Sequence, residues 1–505
     1  MSHLRYALTI AFIPLFQIAV PAQQAAIALD KDDPELLAIL AEIVDDVESA
    51  RVKEQIPGLS IDIVYDQDVL LATGLGYADF EKQIPADPQT VYRVGSVTKV
   101  FTALMLMQLR DAGKLQLDDP IEKYVPEFTI KSQFPDARPA TFRQVAAHYS
   151  GLQREAPMTH ECQLVEEFPS VEEELKSLKN VEMVLPALTI YNYSNLGYDI
   201  LGLALSRAAQ QPYDLYVVDH ILKPLGMNDS GFALSEQMKS HLAIGYSARP
   251  DGTYERSSHQ ECGMASGILY STADDLAKYL SLFFREGPAG GKQVLGSSSL
   301  REMLMPVAVS PDWTYGSTIG FSVNPFPEGT HQMQQIHYKP GGCAGFSSIV
   351  IINYQRKLGM ALLTNTYTPT DEKPDPFWIG YPLLRKLTPV LVKSLARTED
   401  QMRKEMLPRW QTYTGRYVIT DTSAVRILTF SEYDVSIKNQ KLVVNVPELL
   451  PGSFVYMKEI PLSPYGENVF RVGGSSFGGD LMTFESNEDG SMMLKWRNYS
   501  FKRQP

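Results

Sequence analysis

Val94-Gly95-Ser96-Val97-Thr98-Lys99, followed by the apolar run Val100 to Leu109, is the stretch from which the fold is read. Val97, Val100, Phe101, Leu104, Met107 and Leu109 recur at mixed three- and four-residue spacing, which predicts a helix. Gly95 permits a sharp turn ahead of it, and Gly113 offers a C-terminal stop. Ser96 then falls at the helix start and Lys99, three positions on, on the same face, where an amine reaches a hydroxyl. Unpaired backbone N–H groups and the positive end of the helix dipole favour negative charge developing on that oxygen and a less basic lysine. Taken alone, the pair reads better as a helix cap and a surface lysine, and other segments must tip it.

The rest of the chain sets the bounds. At 505 residues it exceeds what one hydrophobic core usually serves, so two domains are expected. A hydrophobic fraction of 44% with 10% aromatics describes a globular protein with ample core, and not a disordered or repeat chain. The net charge of −13, without long basic runs, argues against nucleic acid or an anionic membrane as partner. Arg5, the apolar stretch Ala7 to Val20, and the small residues around Ala22 read as a signal peptide over residues 1–22, and hence as a secreted or secretory-pathway protein, periplasmic if bacterial. Nothing else is long and apolar enough to span a bilayer, so no membrane span is expected after signal removal. Cys162, Cys262 and Cys343 permit at most one intramolecular disulfide. Their spacing fits no zinc pattern and the eight histidines are scattered, so neither a metal nor another cofactor is expected.

Glu35 to Glu54 is amphipathic and ends at Pro57 and Gly58. Leu59 to Tyr65 and Val69 to Thr73 form a hairpin around Asp66, Gln67 and Asp68. Helices are read over Thr141 to His148, Val171 to Lys179, Leu196 to Ala209 and Leu276 to Phe284, the last capped by Ser271 or Thr272. Strand character returns at Gly320 to Val323, Phe346 to Ile352 and Leu358 to Thr364. Strands at both ends with helices between them imply an α+β domain over residues 30–393, an antiparallel sheet whose first and last strands meet, backed by a helical lobe. Residues 394–409 are charged and helical and read as a linker. Short strands at Val425 to Phe430, Leu442 to Val446, Val469 to Val472, Leu481 to Glu485 and Met492 to Trp496 predict a small all-β domain over 410–505.

Two further motifs lie downstream in order: Tyr193-Ser194-Asn195, followed by Gly197, Tyr198, Leu201 and Gly202, and Lys339-Pro340-Gly341-Gly342, followed by Gly345, Phe346, Ser347 and Ser348. Together with Gly113-Lys114-Leu115, Leu117-Asp118-Asp119-Pro120, and His148, Ser150, Gly151 and Leu152, they make residues 35 to 390 resemble the serine β-lactamase and penicillin-binding superfamily. More narrowly the chain resembles the class C-like branch, which also holds esterases, D-aminopeptidases and transesterases. The segment from Trp410, opening with Tyr413-Thr414-Gly415-Arg416-Tyr417, resembles the lipocalin-like β-domain appended to many such hydrolases.

The chemistry fits these residue types. A serine hydroxyl needs a neighbouring base, and Lys99, if kept neutral, can serve. Tyr193, flanked by Lys99 and Lys339, is the second candidate for moving the proton. The resemblance implies catalytic roles for Ser96, Lys99 and Tyr193, and substrate binding by Asn195, Lys339, Gly341 and Gly342. It also implies an oxyanion site at the N–H groups of Ser96 and Gly342, with Phe346 to Ile352 as the edge strand bordering it. The branch often carries histidine where Lys339 stands; His337 is not read as its replacement, and neither Cys343 nor Tyr149 is given a role. The acidic connection Glu155 to Glu174 is read as a solvated loop. The expectation is a secreted serine hydrolase forming an acyl-enzyme from an ester or amide, of esterase, D-amino-acid peptidase or acyltransferase type, with a small-molecule or peptide-like acyl substrate. The alternative is a penicillin-binding or receptor-like module that is acylated but turns over slowly.

Overall fold

The computed structural model describes residues 29–505 apart from 129–131, 133, 135–137, 157–170, 178–182, 250, 258–262, 286–292, 313, 329–331, 368–375, 421–431, 447–456, 465–467, 474–480, 488 and 497–498. The expected signal peptide, the strand expected at Val425 to Phe430, and Cys162 and Cys262 lie outside the described residues. The chain divides into two compact units, Leu29–Leu395 and Ala396–Pro505.

In the first unit, α1 (Pro34–Lys53) begins where Asp33 accepts the backbone N–H of Glu35 at 3.0 Å, with Pro34 opening the first turn. The hairpin follows as β1 (Gly58–Tyr65) and β2 (Asp68–Asp79). Gly95–Val97 form a 3₁₀ turn that runs into α2 (Thr98–Asp111). The spacing in α2 suggests one apolar face, yet nearly every residue from Thr98 to Leu109 is buried, so it is the axis of the lobe. Around it stand α3 (Phe142–Ala146), α4 (Val171–Ser177), α5 (Asn195–Ala209) and α6 (Ala273–Leu282). Thr141 and Gln144 make a reciprocal capping box on α3, and Thr272, not Ser271, caps α6.

The late strands are β3 (Ser322–Glu328), β4 (Gln332–Cys343), β5 (Phe346–Asn353) and β6 (Leu358–Thr364), followed by α7 (Pro376–Trp410). Residues 394–409, read as a linker, are thus part of one continuous helix. The nine-stranded sheet runs Ile84–Pro85, β2, β1, β6, β5, β4, β3, Gly316–Ser317, Ala308–Val309. The first and last long strands do meet: Leu59 pairs with Thr364 and Ile63 with Met360.

The edge-strand expectation for Phe346 to Ile352 is overturned. β5 lies between β6 and β4, with Ile349 opposite both Leu362 and Pro340. Ile349 and Ile351 pack into the core shared with α1 and α7, whereas Val350 and Ile352 pack into that of the helical lobe. An unbroken apolar run, without alternation, is the pattern of a strand covered on both faces.

The second unit contains an eight-stranded closed antiparallel barrel: β7 (Gly415–Ile419), β8 (Glu432–Lys438), β9 (Lys441–Val446), β10 (Met457–Pro464), β11 (Val469–Val472), β12 (Leu481–Ser486), β13 (Met492–Trp496) and β14 (Tyr499–Arg503). Tyr417 opposite Arg503 closes it. Its interior is filled by aromatic side chains, with Tyr413 stacked on Phe484 at 4.7 Å and Tyr433 edge-on to Phe501 at 4.7 Å.

Candidate active site

The site forms where the turn ahead of α2, the start of α5 and the end of β4 converge. Gly95 takes φ +50°, and a Cβ there would stand 2.7 Å from the amide nitrogen of Gly342. A Cβ on Gly341 would meet Val94 O at 2.1 Å and lie 3.0 Å from Ser96 N. The third motif is therefore laid backbone to backbone against the serine turn, which side chains at either glycine would prevent.

Ser96, partly exposed, is contacted on two sides. Lys99 Nζ lies 3.2 Å from its Oγ, and Tyr193 Oη donates to it at 2.6 Å. Lys99 is fully buried, one turn along. Its Nζ also meets Asn195 Oδ1 at 2.6 Å and the carbonyl oxygen of Ser266 at 2.7 Å. Ser194 caps α5 by accepting Gly197 N–H at 2.8 Å, which leaves Asn195 as the first helical residue. The Asn195 side chain is thereby free to bridge, its Nδ2 donating to Glu155 Oε1 at 2.6 Å while its Oδ1 takes Lys99.

Lys339 stands on β4, 3% exposed, its Nζ 4.8 Å from the Tyr193 ring centre, on whose π system Lys99 Nζ also lies at 5.0 Å. Burial first, then the neighbouring Lys99, pushes the Lys339 amine well below the usual lysine range. His148 lies 3.3 Å from Lys339 Nζ through Nε2, its ring tilted on Tyr193 at 4.3 Å. Burial first, then Lys339, Lys99 and Arg154, holds its imidazole well below the ordinary histidine value. Two residues before Lys339, His337 gives its Nε2 to Leu304 O at 2.8 Å and does not join the cluster.

All the sequence-expected residues, Ser96, Lys99, Tyr193, Asn195, Lys339, Gly341 and Gly342, fall in this one place. Sequence reasoning missed the groups around them. Glu155, read as part of a solvated loop, is a partner of Asn195. Asp199, fully buried on α5, accepts Ser266 Oγ–H at 3.0 Å, and burial raises its carboxyl to about 7 against the pull of Lys99. The Ser266 carbonyl is a backbone atom and has no sequence signature. Asp199 has one, a carboxylate at an apolar-face position of α5. Among the described residues no cluster of histidine, cysteine, aspartate or glutamate could hold a metal ion, and no helix is long and apolar enough to cross a membrane.

Comparison with known proteins identifies the family and the fold. The family model described as Beta-lactamase matches residues 44–380. Beta-lactamase-like protein 2 of Dictyostelium discoideum is 31% identical over 362 residues, 70% of this chain and 64% of that protein. The chain thus spans just under two thirds of that relative's length. The octameric penicillin-binding protein homologue from Pyrococcus abyssi is 25% identical with a TM-score of 0.59, covering 92% of this chain and 99% of that one. A class C beta-lactamase, 20% identical over 70% of this chain and 98% of its own, shares the fold at TM-score 0.59. The chain belongs to the beta-lactamase family, with the fold of its class C members and a β-barrel following it in sequence.

Proposed function

We propose that the chain is a serine hydrolase that transfers the acyl group of an ester or amide to Ser96 and releases it to water or another acceptor. The observation that carries this reading is the two-sided contact at Ser96 Oγ, Lys99 at 3.2 Å and Tyr193 at 2.6 Å. An amine has two hydrogens and one lone pair. In Lys99 the two hydrogens are taken by Asn195 Oδ1 and Ser266 O, which leaves the lone pair for the Ser96 hydroxyl proton. Oγ then attacks the carbonyl carbon, and the oxyanion is held by the backbone N–H groups of Ser96 and Gly342. As the carbon–leaving-group bond breaks, the proton held by Lys99 passes through the Tyr193 hydroxyl to the departing oxygen or nitrogen. Water or an alcohol reverses the sequence and frees Ser96. Export is part of the proposal, on the strength of the Arg5 and Ala7 to Val20 pattern.

A fluorophosphonate probe tests it, alongside turnover of a p-nitrophenyl ester. Labelling and turnover that both vanish in Ser96→Ala are expected. A folded protein that neither labels nor turns over would sink the proposal, and labelling without turnover would favour a slowly deacylating receptor.

A further inference from the structure

His148 is the one aromatic base in the cluster, and its hydrogen bonds fix its tautomer. The backbone N–H of Ser194 donates to Nδ1 at 3.2 Å, so Nδ1 carries the lone pair. In the neutral ring the proton then sits on Nε2. That N–H points at Lys339 Nζ, 3.3 Å away. Two donors would face each other if Lys339 were an ammonium; the contact is a hydrogen bond only if Lys339 offers a lone pair.

The surroundings agree. Among the described residues Lys339 Nζ has no oxygen acceptor, whereas Lys99 Nζ has two, Asn195 Oδ1 and Ser266 O, beside its contact with Ser96 Oγ. The charged and titratable groups facing the pair are Lys99 from α2, Arg154 from the loop after α3, Tyr191 and Tyr193 from the segment before α5, and Tyr198 from α5. Arg154, and Lys99 whenever it holds a proton, disfavour a charge on either partner. The faces of Tyr193 and Tyr198, 4.8 and 5.9 Å from Lys339 Nζ, favour an ammonium, but they supply no lone pair in the direction His148 occupies. Arg154, the exposed cation at this edge, has Glu155 beside it at 3.5 Å.

We propose that His148, by donating Nε2–H to Lys339 Nζ, keeps Lys339 an uncharged amine in the resting protein, so that this subsite takes uncharged acyl esters or amides in preference to carboxylate-bearing ones. Lys339 then acts on substrate as a hydrogen-bond donor and not as a counter-ion. His148 is a positioning residue, acting through Lys339. The inference rests on the hydrolase reading for its substrate consequence, but the protonation pattern stands apart from it.

Two measurements decide it. Long-range ¹H–¹⁵N spectra of the full chain labelled at histidine, with His148 assigned by its loss in His148→Phe, should show a protonated Nε2 and bare Nδ1 at pH 7. A protonated Nδ1 or an imidazolium overturns the proposal whether or not the protein is an enzyme. The second is the kcat/KM ratio for a p-nitrophenyl hemiester of glutaric acid against p-nitrophenyl butyrate. Wild type should prefer the butyrate; His148→Phe, which removes the donor and makes Lys339 more basic, should move the ratio about tenfold toward the hemiester at pH 7, the equivalent of one pKa unit. His148→Gln, which restores an N–H donor, should move it back. A ratio equal in all three, with esters still turned over, overturns the substrate claim alone. Failure of every ester and of fluorophosphonate labelling overturns the hydrolase reading, and the spectra still judge the His148–Lys339 pair.

Discussion

Asn195 hands its carbonyl to Lys99 and its amide to Glu155, both at 2.6 Å, so one side chain fixes which way the Lys99 amine turns. Replacing it by alanine removes one of the two acceptors that orient the amine and the bridge from Lys99 to Glu155. Acylation by a fluorophosphonate should fall on the order of 10- to 100-fold, the scale of a lost positioning contact. Asn195→Asp instead sets a carboxylate against the amine, favours its ammonium form, and should displace the acid limb of the kcat/KM profile to higher pH. Stopped-flow acylation across pH 5 to 10 separates the two. An unshifted limb in Asn195→Asp would mean that the Lys99 amine is not the group titrated there.

Tyr193→Phe keeps the ring that lies against His148 and between the two lysines, and removes only the hydroxyl 2.6 Å from Ser96. Turnover of a p-nitrophenyl ester should drop roughly 10²- to 10⁴-fold, the usual range for a lost proton-transfer group. Thermal stability should change little, because the packing is retained. The loss should be smaller for p-nitrophenyl esters than for amides, whose leaving group needs a proton. Equal losses would argue that Tyr193 does not serve the leaving group.

Backbone contact at the serine turn makes a third expectation. Gly95→Ala demands φ +50° of an alanine and drives its Cβ to 2.7 Å from Gly342 N, so the turn or β4 must shift. The left-handed conformation costs about 1 kcal/mol by itself, and the clash adds to it. Melting temperature should fall by several degrees while labelling of Ser96 is lost at temperatures where the protein is still folded. Retained labelling would show that the β4 contact does not set the site.

These predictions draw on features of unequal visibility in the sequence. The Ser96 helix and the β5–β6 hairpin were legible because apolar periodicity and turn residues act locally. The three motifs were legible as a constellation because they resemble a family pattern in order, and the structure adds the local rule that each obeys: a glycine where the chain turns left-handed at 95, a capping serine at 194, small residues at 341 and 342 where two backbones meet. The placement of β5 was misread because its outer neighbour β4, polar and carrying Pro340, Gly341 and Gly342, has little strand character in sequence, although it pairs with β5 from Ile336 to Cys343. The roles of Glu155 and the Ser266 carbonyl were invisible because they depend on contacts across 40 and 167 residues of chain, which carry no spacing signal.

Asp62 on β1 is the clearest such case, and it concerns stability. It is fully buried beneath α6, and neither carboxylate oxygen has a hydrogen-bond partner among the described residues. Burial, aided by Asp274 and opposed by Lys278, raises its carboxyl from 3.8 to about 8. Below about pH 4 it is protonated in both folded and unfolded chains, and its contribution to stability is full. Between there and about pH 8 the unfolded chain has released the proton that the fold retains, so each rise in pH favours unfolding. Above about pH 8 the loss is complete, on the order of 6 kcal/mol. Asp62→Asn has no proton to lose, and its melting temperature should exceed that of wild type by a margin that is small near pH 4 and widens up to about pH 8. Calorimetry at pH 4.5, 6 and 8 measures that margin; one that stays constant across the three would show that Asp62 is ionised in the folded protein throughout.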